Sequence, residues 1–184
     1  MSSYLEKLRL QIEKRLSVPV RFTKDPAHGM FTAMMPDPVS VSLDDLPFVA
    51  RVEFVEPVFL NFYLADGWQV AAVREILEEE EHASSLSAPQ FDAFEVQYAY
   101  NRICNQMELL ASLWYGVDAT CLELLTAPVE LALMEQLAME PNLVLLAERF
   151  HTFFDLCPIR GEEADVAGAR MALMQACRII FQLF

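Results

Sequence analysis

The side chains best suited to chemistry lie together, between residues 97 and 108. Gln97, Asn101, Asn105 and Glu108 recur every three or four residues and so share one face of a helix. Tyr98 and Arg102 flank that stripe. Amides and a guanidinium hydrogen-bond base edges or phosphates, and a tyrosine ring stacks on an unstacked base. The same residues equally make an ordinary solvated helix face with Tyr98 half-buried.

Two further groups of cations invite attention. Arg170 and Arg178 are eight residues apart on another helical stretch, about 80° around the axis at ~100° per residue. They meet phosphates or pair with Glu162, Glu163 or Asp165, and the pairing is the preferred reading. Lys7, Lys14 and Arg15, followed by Arg21 and Lys24, form the positive segment of the chain. They grip phosphate or offset an acidic body.

Catalytic chemistry finds no foothold. No nucleophile–base pair or glycine-rich phosphate loop can be named, and His28, His82 and His151 are scattered singly. Glu162-Glu163 at a helix start compensates the helix dipole. Cys104, Cys121, Cys157 and Cys177 show no Cys-x-x-Cys spacing and sit among apolar residues. They are expected to be reduced and buried and not zinc ligands. No catalytic residue, metal or cofactor is expected.

Charge bears on the choice of partner. The net charge is −14. Residues 1–24 carry six basic and two acidic side chains, and the remainder carries seven and twenty-five. Nucleic-acid affinity comes largely from Lys and Arg at phosphates, and an anionic body repels RNA unless its cations cluster. The charge therefore points to a protein partner or a homodimer at least as strongly as to RNA. The apolar fraction of 54% suffices for a packed core. No stretch has the roughly 18 uncharged apolar residues of a membrane span, and the N-terminus lacks a signal-peptide pattern. The expected location is the cytoplasm.

These side chains need elements to position them. Leu5, Leu8, Ile12 and Leu16 give the first helix an apolar stripe, ended by Ser17 and Pro19. Val18–Phe22 reads as a strand and 36–47 as irregular loop. Ala50–Val55 and Val58–Leu64 read as two strands split by Pro57. Asp66 suits the N-cap of a helix running to about Glu81, burying Trp68, Ala72, Val73, Ile76 and Leu77. Ala83–Gln90 reads as a linker. From Phe91 on the pattern is helical. Val96, Ala99, Ile103, Met107, Leu110 and Trp114 line a buried face, Gly116 ends that helix, and Pro128 and Pro141 suit first-turn positions. The expected class is α+β: a small α+β domain over 1–82, a linker over 83–90, and a bundle of four or five helices over 91–184.

Several segments resemble arginyl-tRNA synthetases. Val96-Gln97-Tyr98-Ala99-Tyr100-Asn101-Arg102-Ile103 and the stretch Ala169–Arg178 are similar to the first and last helices of that family's DALR-type anticodon-binding domain. Leu146–Pro158 resembles its "LA..FH.FY..CP" helix. Arg51–Leu64 is similar to the "VE.AGPGFINF.L" strand pair of the family's N-terminal domain, with Glu56-Pro57-Val58 replacing Gly-Pro-Gly, and Pro26–Thr32 more distantly to "P.HGDF..N". The resemblance implies that Gln97, Tyr98, Asn101 and Arg102 face an anticodon loop and that Asn61 and Phe62 occupy elbow-contacting positions, although Phe62 equally suits a core. The family's His-x-Gly-His and Lys-Met-Ser-Lys motifs are absent, and the lysines are Lys7, Lys14 and Lys24 alone. Family members continue into a tail that helps hold the anticodon, and this sequence ends at Phe184 before it. The resemblance thus implies a non-catalytic, synthetase-like tRNA-binding or adaptor protein, the alternative being a protein-interaction module that kept the fold and lost RNA affinity.

Overall fold

The computed structural model describes residues 3–35, 46 and 48–184. The loop expected over 36–47 therefore lies outside the described residues, apart from Leu46. The chain is α+β and divides into two compact units, one up to Trp68 and the other from Gln69 to Phe184.

The first unit opens with α1 (Tyr4–Leu16). The Ser3 hydroxyl accepts the Glu6 amide at 3.2 Å, satisfying a donor that the helix start leaves free. Leu5, Leu8 and Ile12 are buried along one side, as their spacing predicts. Ser17 closes the helix in the left-handed conformation. Arg9 bonds the carboxylates of Glu6 and Glu13 and donates to the Val20 carbonyl at 2.8 Å, tying α1 to β1.

Strands β1 (Val20–Phe22), β2 (Phe31–Met34), β3 (Val49–Val55) and β4 (Phe59–Leu64) form one antiparallel sheet in the order β1-β2-β4-β3. Sequence patterning does not predict β2, which has only four residues. Its pairing on both sides holds it, Phe31 lying opposite Phe22 and Phe62. The approach to β2 demands a glycine: Gly29 has φ +81°, and a Cβ there would lie 2.5 Å from the Phe62 carbonyl oxygen. Alternation sends Phe31, Ala33, Leu60 and Phe62 into the core of this unit. Across the other face runs a polar row, Arg21–Thr32–Asn61–Glu53, in direct cross-strand register.

The second unit holds α2 (Trp68–Glu78), α3 (Glu80–Ser84), α4 (Phe94–Ser112), α5 (Pro128–Ala138), α6 (Leu143–Leu156) and α7 (Ala164–Leu183), with a 3-10 segment at Ala119–Leu124. The helix expected from Asp66 to Glu81 is thus two helices. Val70, Val73 and Ile76 share one apolar core with Ile103, Phe150 and Phe181. The helix read with the first domain therefore packs in the second unit, where its apolar face is covered.

Helix α7 is the centre of this unit, buried nearly all round from Ala167 to Phe181. Gly168 lets the preceding chain come close: a Cβ there would lie 2.8 Å from Asp118 Cβ, and the Gly168 carbonyl accepts the Asp118 amide at 3.0 Å. Pro128 opens α5 as expected. Pro141 precedes the first turn of α6, and Asn142 caps that helix by accepting the Leu145 amide at 3.0 Å. Helix α4 stops before Gly116. Trp114, expected on its buried face, lies past the helix end and is exposed.

Candidate nucleic-acid interface

Helices α4 and α6 run side by side in the same direction, and their outer face carries a line of rings. Phe94 and Tyr98, one turn apart, stack with centroids 6.0 Å apart and planes 12° from parallel. Phe94 is 77% exposed and Tyr98 50%. The His151 ring of α6 continues the line, 5.2 Å from Tyr98. The exposed faces of Phe94 and Tyr98 do little for folding, because burial is what aromatic side chains contribute to it.

Arg102 sits at the end of this line and is held on three sides. Its Nη1 lies 3.0 Å from His151 Nδ1, and its Nη2 donates to Asp155 Oδ1 at 2.9 Å. Its guanidinium carbon lies 4.5 Å from the centre of the Phe154 ring, a cation–π distance. Burial and the adjacent guanidinium push the His151 pKa below its usual value, with Asp155 opposing. Gln97 accepts the Phe91 amide at 3.1 Å and donates to Asn101 Oδ1 at 3.2 Å. Asn101 itself is exposed.

Gln97, Tyr98, Asn101 and Arg102 therefore come together on one surface. Gln97 also fixes the entry to α4, and Arg102 is neutralised locally. The arrangement offers flat aromatic faces and exposed amides, a chemistry suited to unstacked bases more than to phosphates. Phe94, His151 and Asp155 belong to it and were missed by sequence reasoning. Phe94 and Tyr98 at four-residue spacing were a local signal. His151 and Asp155, also four apart, were one once α6 was placed beside α4.

Arg170 and Arg178 are engaged elsewhere. Arg170 is largely buried, bonded to Glu130 at 2.8 Å and Glu162 at 3.3 Å, and it donates to the Pro158 carbonyl. The preference for pairing over phosphate contact names Glu162 correctly but omits Glu130, the buried partner on α5. Arg178 lies 3.5 Å from Glu80, whose carboxylate also accepts from Gln175 at 2.6 Å. Of the four cysteines, Cys157 and Cys177 are buried as expected, while Cys104 and Cys121 are partly exposed.

A second surface belongs to the sheet. A cavity of about 480 Å³ opens on its polar face, lined among others by Arg21, Lys24, His28, Thr32, Phe59 and Asn61. The Thr32 hydroxyl is buried there without a hydrogen-bond partner. Asn61 lines the cavity and is only 4% exposed, whereas Phe62, pointing the other way, is fully buried core. Arg51 lies 3.8 Å over the Tyr63 ring, and the Tyr63 hydroxyl donates to Glu53 at 2.8 Å. Lys14 and Arg15 lie in the last turn of α1, where cations complement the helix dipole. Lys7 is half-buried near the start of the same helix. No helix among the described residues is long and apolar enough to cross a membrane.

Comparison with known proteins agrees with the resemblance at a coarse level. The chain is 32% identical to the arginine–tRNA ligase of Acetivibrio thermocellus over 107 residues, covering 47% of this chain and 19% of that enzyme. It is 35% identical to the Ruminiclostridium cellulolyticum ligase over 107 residues, with the same coverage. It is 30% identical to the Salinibacter ruber ligase over 126 residues, or 59% of this chain and 21% of that enzyme. The chain therefore spans about one fifth of the length of these relatives and contains an arginyl-tRNA-synthetase-related segment. No family model matches it, and no solved structure does so significantly.

Proposed function

We propose that the chain is a non-catalytic, arginyl-synthetase-like tRNA-binding module of the cytoplasm that holds or hands over tRNA. In this reading the first unit, up to Trp68, is an N-terminal-type domain that meets the tRNA elbow through Asn61 and its cavity. The helices over residues 91–184 are a DALR-type bundle that meets the anticodon arm. The observation that carries the reading is the stacked, solvent-facing pair Phe94–Tyr98 beside Arg102, in a chain with a segment related to arginine–tRNA ligases. The missing His-x-Gly-His and Lys-Met-Ser-Lys motifs support the non-catalytic part.

The test is a titration of labelled bulk tRNA with the full chain at ~50 mM and ~200 mM salt, since phosphate contacts make affinity fall with salt. Saturable binding at the lower salt is expected, and its absence at tens of micromolar protein rejects the reading. A second reading, a protein-interaction module that kept the fold and lost RNA affinity, is favoured by the net charge of −14 and by the internal pairing of Arg102, Arg170 and Arg178.

A further inference from the structure

The end of α4 carries a side chain that the fold does not explain. The Trp114 amide donates to the Ala111 carbonyl at 3.0 Å and the Tyr115 amide to the Leu110 carbonyl at 3.1 Å, the paired bonds that close many helices around a left-handed residue. That residue is Trp114, with φ 68°. Glycine takes this conformation without cost, and a bulky residue is an outlier there. Its side chain is 96% exposed, so burial does not offset the strain.

The surroundings of Trp114 are apolar. Leu109 and Leu113, one turn apart, are exposed beside it. Because α4 and α6 run parallel, their C-terminal ends lie together, and α6 ends in Leu156, 65% exposed. Between the two ends lies a groove of about 220 Å³, lined by Gln106, Leu110, Phe154, Pro158, Ile159 and Arg160. The Tyr115 hydroxyl accepts the Gly161 amide at 3.4 Å, which holds the residues after Trp114 against the turn that follows α6.

The helix ends dominate the electrostatics of this surface. Two helix C-termini gather partial negative charge, and neither last turn carries a basic residue. Glu108, one turn before the end of α4, is exposed, and Arg160 is the charged residue lining the groove.

We propose that this surface docks a basic amphipathic helix of a protein partner. The partner's apolar side chains pack on Leu109, Leu113, Trp114 and Leu156. Its lysines or arginines meet the helix ends, the Glu108 carboxylate and the face of the indole. Solvent-facing apolar patches mark such interfaces, and tryptophan is enriched among residues that dominate their affinity. The surface lies at the far end of α4 from Phe94, about 27 Å along the axis at 1.5 Å per residue, and it stands independently of the RNA reading.

The test uses the full chain and a labelled synthetic leucine–lysine amphipathic helix, with the leucine–glutamate version as control. The lysine peptide is expected to bind saturably and to shift tryptophan emission to shorter wavelength. Trp114→Gly keeps the charge and relieves the backbone, so its melting temperature is expected to match or exceed that of the parent. Its affinity for the lysine peptide is expected to fall at least about tenfold, or 1.4 kcal/mol. Leu156→Ser is expected to weaken binding in the same direction. Equal binding of the glutamate peptide, unchanged affinity in Trp114→Gly, self-association of the chain through Trp114, or loss of tRNA but not peptide binding in that variant would each overturn the proposal.

Discussion

Arg102 Nη1 lies 3.0 Å from His151 Nδ1. A guanidinium has only donors, so Nδ1 must offer its lone pair and His151 is held neutral with its proton on Nε2. This contact fixes both the tautomer of the histidine and the position of the arginine at the end of the aromatic line.

Burial of His151, and after it the Arg102 contact, make the second unit sensitive to acid. The folded-state pKa of His151 lies below the ordinary 6.5, so the unfolded chain takes up the proton first as pH falls. The contribution of His151 to stability is full above about 6.5 and declines as pH falls from there toward the folded value. NMR titration of the His151 ring is expected to give a midpoint below 6.5, moving upward in Arg102→Met, where one of the two lowering causes is gone. A midpoint at or above 6.5 in the parent would remove the argument.

Tyr98→Ala and Phe94→Ala are expected to weaken tRNA binding, each by about fivefold to a hundredfold, given ~1–3 kcal/mol per stacked base. Both rings are exposed at half their surface or more, so circular dichroism and melting temperature should barely move. Unchanged tRNA affinity in both variants would separate this surface from RNA.

The Arg170–Glu130 pair predicts the opposite pattern. The two side chains are 12% and 2% exposed, and removal of one partner strands a buried charge. Arg170→Met is expected to destabilise the chain by about 3–5 kcal/mol, while Arg170→Met with Glu130→Leu recovers much of that loss. Denaturant melts of the single and double variants measure it. A loss under ~1 kcal/mol in the single variant would mean that the pair is solvated.

Neighbours on β4 should part company. Phe62 is fully buried and Phe59 is 40% exposed at the cavity. Phe62→Ala is expected to cost about 3–5 kcal/mol of stability. Phe59→Ala should leave the melt nearly unchanged and lower tRNA affinity. A Phe59→Ala variant with full affinity would leave the cavity without a role in RNA binding.

Local patterning was enough for most elements. The spacing of Leu5, Leu8 and Ile12, and of Val96, Ile103 and Leu110, determines helices and their buried sides, because one face of a 3.6-residue repeat must leave water. The stripe Gln97–Tyr98–Asn101–Arg102 was legible for the same reason. Strand β2 was not, since four residues alternate too briefly and its pairing comes from strands distant in sequence.

Only tertiary structure decided what those faces meet. Arg102 finds His151 across 49 residues and Arg170 finds Glu130 across 40, which turns two apparent phosphate ligands into one positioned and one buried cation. The allegiance of α2 to the helical core and the exposure of Trp114 were settled in the same way. Periodicity states which side of an element must be covered, but the partner that covers it, and the electrostatic neighbours that set the state of a charge, are brought there by the rest of the chain.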